Sequence, residues 1–407
     1  RAAPSQIARP MDKNNPYNIK TYNAIAPVGL QRFAAGDYTV GPDVANPDGM
    51  LLRSHKLSVD ELTPGLRAVA RAGAGVNNVP VEACSQEGIV VFNTPGANAN
   101  SVKELVLTAM LLASRDVFGG IQYVRSLANV SDEAELNKLV EAEKKKFKGR
   151  ELIGKTLGVV GLGAIGSMVA RAALDLGMNV LGYDPALSVD AAWRLPSDVE
   201  RMQNLPSLFA RADYVTLHVP QIPATEGMIN AEALQAFKPG SVLLNFARQP
   251  IVDAAALKAS LESEHLGRYV ADFPVPGLID HPRVMLTPHL GASTDEAEEN
   301  CAVMAANQLM RFLETGSIVN SVNFPAVSLE AVDGYRVAIS NHNVPGMLGQ
   351  MTAVLGERNI NVIDLINKSR DDLAYNLIDL SEAPDEGLLQ AIRDIESVID
   401  VRVIKGA

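Results

Sequence analysis

The sequence predicts an α/β protein: two doubly wound parallel-sheet domains, then a smaller domain in βαββαβ order. Three observations carry this. Short, wholly apolar runs alternate with helical stretches from Tyr17 to Thr287, the pattern of buried parallel strands joined by helices. One strand-to-helix junction is a glycine turn, Gly161-x-Gly163-x-x-Gly166. Beyond Gly334 the runs become alternating strands, which suits an antiparallel sheet with one covered face.

The elements follow in order. Met50–Leu52, Ala68–Ala70 and Ile89–Phe92 read as buried strands, with helices at Ser58–Leu66 and Val81–Glu87. Two of these strands end in polar runs, Arg53-Ser54 and Arg71 to Asn78, where parallel sheets bind ligands. Arg53 is either a solvated arginine or an anion binder, and Gly73-Ala74-Gly75 either a plain turn or a set of N–H donors for an anion. After the turn formers Asn93 to Ser101, Val102–Arg115 and Gly119–Ala128 read as helices, and Glu141–Lys148 as a charged helical face. Strands are then expected at Thr156–Val160, Asn179–Tyr183, Tyr214–Leu217, Ser241–Asn245, Arg268–Asp272 and Val284–Thr287. Helices fall at Ala164–Leu176, Leu205–Arg211, Ala231–Phe237 and Ala254–Ser263. A long helix, Thr294–Glu314, returns the chain to the first domain, and Ser317–Val327 reads as a linker. The tail gives strands at Tyr335–Ser340, Asn361–Asn367, Tyr375–Leu380 and Val398–Ile404, with helices at Met347–Arg358 and Gly387–Glu396.

The glycine turn gains meaning from its setting. Gly161 permits the tight turn, Gly163 lets backbone approach a pyrophosphate, and Gly166 packs helix on strand. The helix start offers N–H groups to phosphate. Asp184 ends the following strand, about 20 residues on, where an acid meets the ribose hydroxyls. Its charge repels a 2′-phosphate, which points to NAD over NADP.

Composition bounds the rest. The net charge of −11, with no broad basic face, argues against a nucleic-acid partner. Cys84 and Cys301 are the two cysteines, and their separation fits neither a metal motif nor a disulfide framework, so no metal is expected and a reducing, cytoplasmic setting is. No apolar run reaches membrane-spanning length. Residues 1–16 read as a tail or leader remnant.

Two side chains at strand ends suit oxidation of a hydroxy acid. Arg248, in Asn245-Phe246-Ala247-Arg248, offers a guanidinium for a carboxylate, and His289 offers a titratable group for the hydroxyl proton. With Val160 to Gly166, Tyr183-Asp184-Pro185, Gly73 to Asn78, Asn93-Thr94-Pro95-Gly96 and Pro288 to Thr294, these runs resemble the D-isomer-specific 2-hydroxyacid dehydrogenases, and within them the phosphoglycerate branch. The resemblance covers nearly all of the chain from Tyr17 onward.

That resemblance implies a flavodoxin-like substrate domain (17–95 and 290–325), a Rossmann-like NAD domain (96–289), a linker (326–333) and a ferredoxin-like ACT domain (334–407). It implies Arg248 and His289 as catalytic residues in an interdomain cleft, and Arg53, Ser54, Ala74, Gly75 and Asn77 as substrate-binding. NAD would meet Gly161, Gly163, Ala164, Ile165, Gly166, Asp184, His218, Val219, Pro220, Ala247, Asp272 and Gly291. The implied substrate is D-3-phosphoglycerate and the assembly a homo-oligomer, dimer or tetramer. L-serine would be an effector near Asn343 and Asn361, although a histidine of some serine-regulated relatives is replaced by Asn341.

The chain departs from the family in one place. The usual glutamate partner of the catalytic histidine is missing from Asp272-Phe273-Pro274-Val275-Pro276-Gly277. Asp272 or Asp280 could reach His289 instead, and Lys103 could contact substrate, against a plain structural role for each. The other functions left open are oxidation of 2-hydroxyglutarate or glycerate, and a non-catalytic NAD-sensing scaffold.

Overall fold

The computed structural model describes residues 16–193, 195–330 and 334–405; of the segment read as a tail, residues 1–15 lie outside the described residues, as do 331–333 of the expected linker. The first sheet is parallel: β1 (Tyr17–Thr21), β2 (Tyr38–Gly41), β3 (Gly49–Leu52), β4 (Ala68–Arg71) and β5 (Val90–Phe92), in the order β2-β1-β3-β4-β5. Every residue of β3 and β5 is buried, because helices and loops cover both faces.

The second sheet is also parallel. It comprises β6 (Thr156–Val160), β7 (Asn179–Tyr183), β8 (Val199–Arg201), β9 (Tyr214–Leu217), β10 (Val242–Asn245), β11 (Arg268–Ala271) and β12 (Val284–Leu286). Their order is β12-β11-β10-β9-β6-β7-β8. From β6 the chain goes outward to β7 on one side and later returns to β9 on the other. The loops after β6 and β9 therefore diverge, and such a switch point opens a crevice at the carboxyl edge. Separate apolar clusters fill the two faces, one around Leu208, Phe237 and Leu257, the other around Val106, Val169 and Leu244.

The last sheet is antiparallel: β13 (Tyr335–His342), β14 (Val362–Arg370), β15 (Leu373–Leu380) and β16 (Val398–Lys405), in the order β14-β15-β13-β16. Helices Met347–Glu357 and Glu386–Arg393 bury one face on Ile339, Ile378 and Val401. The other face does not stand free. Ala338, Tyr375, Leu377 and Ile404 join the core that β1, β4 and the helix Asp295–Thr315 build under the first sheet.

The chain thus divides into two compact units. Ala99–Thr294, with the second sheet, is one; the described residues up to Asn98 and from Asp295 onward form the other. Some elements differ from the sequence reading. Ser58–Leu66 holds only a single 3-10 turn, Val59–Glu61, closed by a Ser58–Glu61 capping box. The helix expected at Glu141–Lys148 begins earlier, at Glu133, where the Asp132 side chain caps the Glu135 N–H. Ser317–Val327 is packed structure rather than a free linker: Ile318 pairs with Val327, Phe324 is fully buried, and the Val322 N–H donates to the Val91 carbonyl.

Candidate active site

The glycine turn joins β6 to the helix Ala164–Asp175. Gly161 has φ +90°, and a Cβ there would lie 2.6 Å from the His218 carbonyl oxygen. A Cβ on Gly166 would run into the Gly161 carbonyl. Gly163, at the N-cap, is different: a Cβ there would meet nothing within 4 Å, and no side chain caps the helix. The protein itself does not require a glycine at 163. A ligand that presses on the backbone there does, so the turn fits a dinucleotide pyrophosphate, with the N–H groups at Ala164 and Ile165 starting the helix.

Asp184 is anchored against this turn. One carboxylate oxygen accepts the Leu162 N–H at 2.8 Å and the other the Ala186 N–H at 2.9 Å. On the other side of β6, the His218 N–H donates to the Val160 carbonyl at 2.8 Å. Thr216 Oγ1 lies 2.9 Å from His218 Nε2, and Nδ1 is buried without a protein partner. Burial pushes the His218 pKa down to about 3, so the ring is neutral. Val219 is half-buried and Pro220 exposed beside it.

Arg248 follows β10 in extended backbone. Asn245 is fully buried and shapes this loop: its Nδ2 donates to the Arg248 carbonyl at 2.9 Å, and its Oδ1 accepts the Ala247 N–H at 3.2 Å. The guanidinium donates from Nη1 to the Ala247 carbonyl at 2.7 Å. Among the described residues, no carboxylate offsets its charge in an ion pair.

His289 sits on an exposed loop after β12 with φ +62°. The loop is held from below by Asp272, which is only 2% exposed. Oδ1 accepts from Thr287 Oγ1 at 2.6 Å and from the Leu290 N–H at 2.7 Å; Oδ2 accepts the Gly291 N–H at 2.7 Å. The Gly291 carbonyl accepts from Ser101 Oγ at 2.8 Å. Asp272 therefore shapes the backbone around His289 and does not bond to its ring. No hydrogen bond joins Asp280 to that ring among the described residues either. The ring's neighbour is Phe273, edge-to-face with centroids 4.9 Å apart. Lys103 donates at 2.6 Å to Asn100 Oδ1 on its own helix.

In the other unit, the loops after β3, β4 and β5 are tied together. The Arg53 carbonyl accepts from Arg71 Nε at 3.1 Å and Asn78 Nδ2 at 3.2 Å. Asn93 Nδ2 donates to the Ala74 carbonyl at 2.6 Å, and the Thr94 N–H to the Gly73 carbonyl at 3.0 Å. Ser54 N–H and His55 N–H both donate to Asn23 Oδ1, and Gly75 stays half-buried. Arg53 pairs with Glu298 at 2.6 Å, with its side chain 35% exposed. Asn77 is exposed, and its neighbour Asn78 makes the structural bonds. Sequence reading singled out Arg53 but not Arg71 as a cation, although both directly follow an apolar strand. Glu298 and Phe273 gave no sequence signal, because only folding brings them to their partners.

In the C-terminal sheet, Asn343 and Asn361 are exposed, and Asn343 Nδ2 donates to the Asp371 carbonyl. Asn341 points inward instead: it is 1% exposed and accepts from Asn376 Nδ2 at 2.8 Å. Among the described residues no group of three or more His, Cys, Asp or Glu side chains could hold a metal ion, and no helix is long and apolar enough to cross a membrane.

A dinucleotide turn whose sheet also carries an unpaired arginine and an exposed histidine at its carboxyl edge defines the class: a nicotinamide-dependent oxidoreductase. The family model for the NAD-binding domain of D-isomer-specific 2-hydroxyacid dehydrogenases matches residues 108–291. D-3-phosphoglycerate dehydrogenase of Escherichia coli (strain K12) is 34% identical over 344 residues, 81% of this chain and 79% of that protein. The enzyme of the same name from Haemophilus influenzae is 33% identical over 370 residues, 88% of this chain and 86% of its own. The crystal structure of NAD+-bound 3-phosphoglycerate dehydrogenase from Entamoeba histolytica aligns with a TM-score of 0.59 and 26% identity, covering 76% of this chain and 99% of that one. The chain belongs to the D-isomer-specific 2-hydroxyacid dehydrogenases, and its cofactor is NAD.

Proposed function

We propose that the chain oxidises D-3-phosphoglycerate to 3-phosphohydroxypyruvate, the entry step of L-serine biosynthesis. The observation that carries the substrate is a second arginine beside Arg53: Arg71, at the end of β4, whose Nε donates to the carbonyl of Arg53, just after β3. A phosphorylated hydroxy acid needs cations beyond the one that holds its carboxylate; an unphosphorylated acid does not. The relatives of that name support the same reading.

Bound NAD supplies the hydride acceptor at its nicotinamide C4. The chain supplies the rest. Arg248 holds the substrate carboxylate and polarises the oxygen on C2. His289 takes the C2 hydroxyl proton as the hydride leaves C2, so the C–H and O–H bonds are exchanged for a carbonyl. Ser54, Asn77 and the backbone at Ala74 and Gly75 bind the rest of the anion. Ala247, Asp272, Gly291 and the His218–Pro220 segment border the cofactor. Asp272 does so while fixing the His289 loop, a role that takes over part of what the missing glutamate does in relatives.

The C-terminal sheet domain is read as an ACT regulatory module, with L-serine as effector near Asn343 and Asn361. The protein is read as a homo-oligomer; Val117, Phe118, Ile121 and Val124 leave an apolar helix face exposed for a second copy. The test is initial rates of NAD reduction with D-3-phosphoglycerate, D-glycerate and D-2-hydroxyglutarate, with and without L-serine. Much higher kcat/KM for the phosphorylated acid is expected. Equal or higher efficiency with an unphosphorylated acid overturns the substrate reading. Rates insensitive to serine overturn the effector reading alone.

A further inference from the structure

A second cluster of cations lies away from the loops just described, at the seam where the C-terminal sheet packs on the first sheet. Arg67 stands just before β4, and Arg402 lies on β16. Together with Ser340 of β13, Tyr375 of β15, Phe312 and Asp400, they line a small cavity of about 20 Å³.

The hydrogen bonding at this seam is incomplete in one direction. Arg402 is 4% exposed; its Nη2 donates to the Phe312 carbonyl at 2.9 Å and its guanidinium lies 4.3 Å from the Phe312 ring centre. Its Nη1 is buried without a partner. Arg67, with a side chain 14% exposed, places Nη2 at 3.8 Å from Asp48, and its Nη1 is likewise buried and unpartnered. Ser340, 4% exposed, has a buried hydroxyl without a partner. The Tyr375 hydroxyl donates to the Gly316 carbonyl at 3.0 Å, and the Arg402 side chain lies beside its oxygen. Burial lowers the Arg67 pKa, and repulsion between Arg67 and Arg402 lowers it further. Asp48 and Asp400 offset part of that charge, but Asp400 is exposed and makes no ion pair with either arginine.

Arg67, Arg402 and Ser340 thus line one cavity, and one buried donor of each, the two Nη1 groups and the hydroxyl, has no protein partner. Leaving such groups unpaired is costly. A water molecule accepts two hydrogen bonds and leaves the two guanidinium charges repelling each other, whereas an anion accepts from all three groups and offsets that charge. The size of the cavity sets the class. About 20 Å³ holds one water-sized species and excludes a phosphate or an amino-acid carboxylate.

We propose that this cavity is a binding site for a monatomic anion of chloride type, which locks the C-terminal sheet domain onto the first sheet. The anion bridges Arg67 Nη1, Arg402 Nη1 and Ser340 Oγ, and so links β16 and β13 to the strand that leads into the Arg71 loop.

Bromide serves as the probe in crystals, and chloride in solution. Crystals of the full chain soaked in bromide should show an anomalous peak within hydrogen-bond distance of both Nη1 atoms. Thermal unfolding in chloride, against gluconate at equal ionic strength, should show a saturable rise in Tm. Ser340→Ala, a mild change, should fold normally and shift the half-saturating chloride concentration upward about tenfold. Arg67→Met should abolish the chloride-dependent rise. The proposal is overturned by a seam peak without a saturable rise in Tm, by no bromide peak at all, or by a chloride response of Ser340→Ala identical to wild type. If Arg67→Met does not fold, the Ser340→Ala titration decides alone.

Discussion

The carboxyl edges of the two parallel sheets are prepared to different degrees. On the seven-stranded sheet the working groups are held but not neutralised. Arg248 bonds to backbone, His289 is exposed, and the buried Asn245 and Asp272 hold the neighbouring loops through backbone and hydroxyl partners. On the five-stranded sheet Arg53 is already ion-paired with Glu298. One edge is set up for chemistry by its supports. On the proposed function, the other exchanges an internal carboxylate for the ligand's anion. A catalytic group gains from being fixed before substrate arrives. A partly exposed ion pair of modest strength can be exchanged at little cost.

The largest expected effect tests the first edge. His289→Gln should lower kcat by about 10²- to 10⁴-fold while NAD binding, followed by fluorescence titration, stays near wild type. A variant that keeps wild-type kcat would remove His289 from the proton step. Next comes the glycine turn, where two substitutions should separate. Gly163→Ala meets no protein atom within 4 Å, so Tm should hold while the NAD Kd rises about tenfold. Gly166→Ala strikes the Gly161 carbonyl and should cost about 1–3 kcal/mol of stability in urea titrations.

A smaller effect concerns His218. Its folded pKa of about 3 lies below the ordinary 6.5, so between those values the unfolded chain binds a proton that the folded chain refuses. Stability should therefore fall as pH drops below 6.5, by about 1–2 kcal/mol at pH 5. His218→Asn should flatten that part of the urea-midpoint profile; an unchanged slope would place the proton elsewhere. The smallest effect tests the second edge. Glu298→Gln frees Arg53 and should lower KM for the phosphorylated substrate about two- to fivefold at low salt. A rise in KM would mean that the pair holds Arg53 in its working position.

Much of this was legible in the sequence, for reasons that differ by region. Wholly apolar runs such as Val242–Leu244 announce buried parallel strands, and the glycine turn announces its own geometry because only glycine fits two of its positions. Arg248 and His289 stood out because a guanidinium and an imidazole at strand ends of one nucleotide sheet suit a carboxylate and a hydroxyl proton. Contacts between distant segments were not legible. Glu298 reaches Arg53 only through the fold, and nothing in Phe273 says that its ring will stand against His289. Asp272 read either as a partner of the His289 ring or as a structural carboxylate, and the fold decides for the second: three backbone and hydroxyl donors from the His289 loop occupy it. Ser317–Val327 looked like a linker because it lacks periodicity, although its apolar residues at 318, 324 and 327 are buried.

The most direct test of the central claim follows the hydride itself. D-3-phosphoglycerate carrying deuterium at C2 would be turned over with NAD, and the nicotinamide examined by NMR. Deuterium at C4 of the reduced cofactor, formed together with 3-phosphohydroxypyruvate, is the predicted result. Deuterium retained at C2 with no reduced cofactor, under conditions where NAD binds, would contradict it.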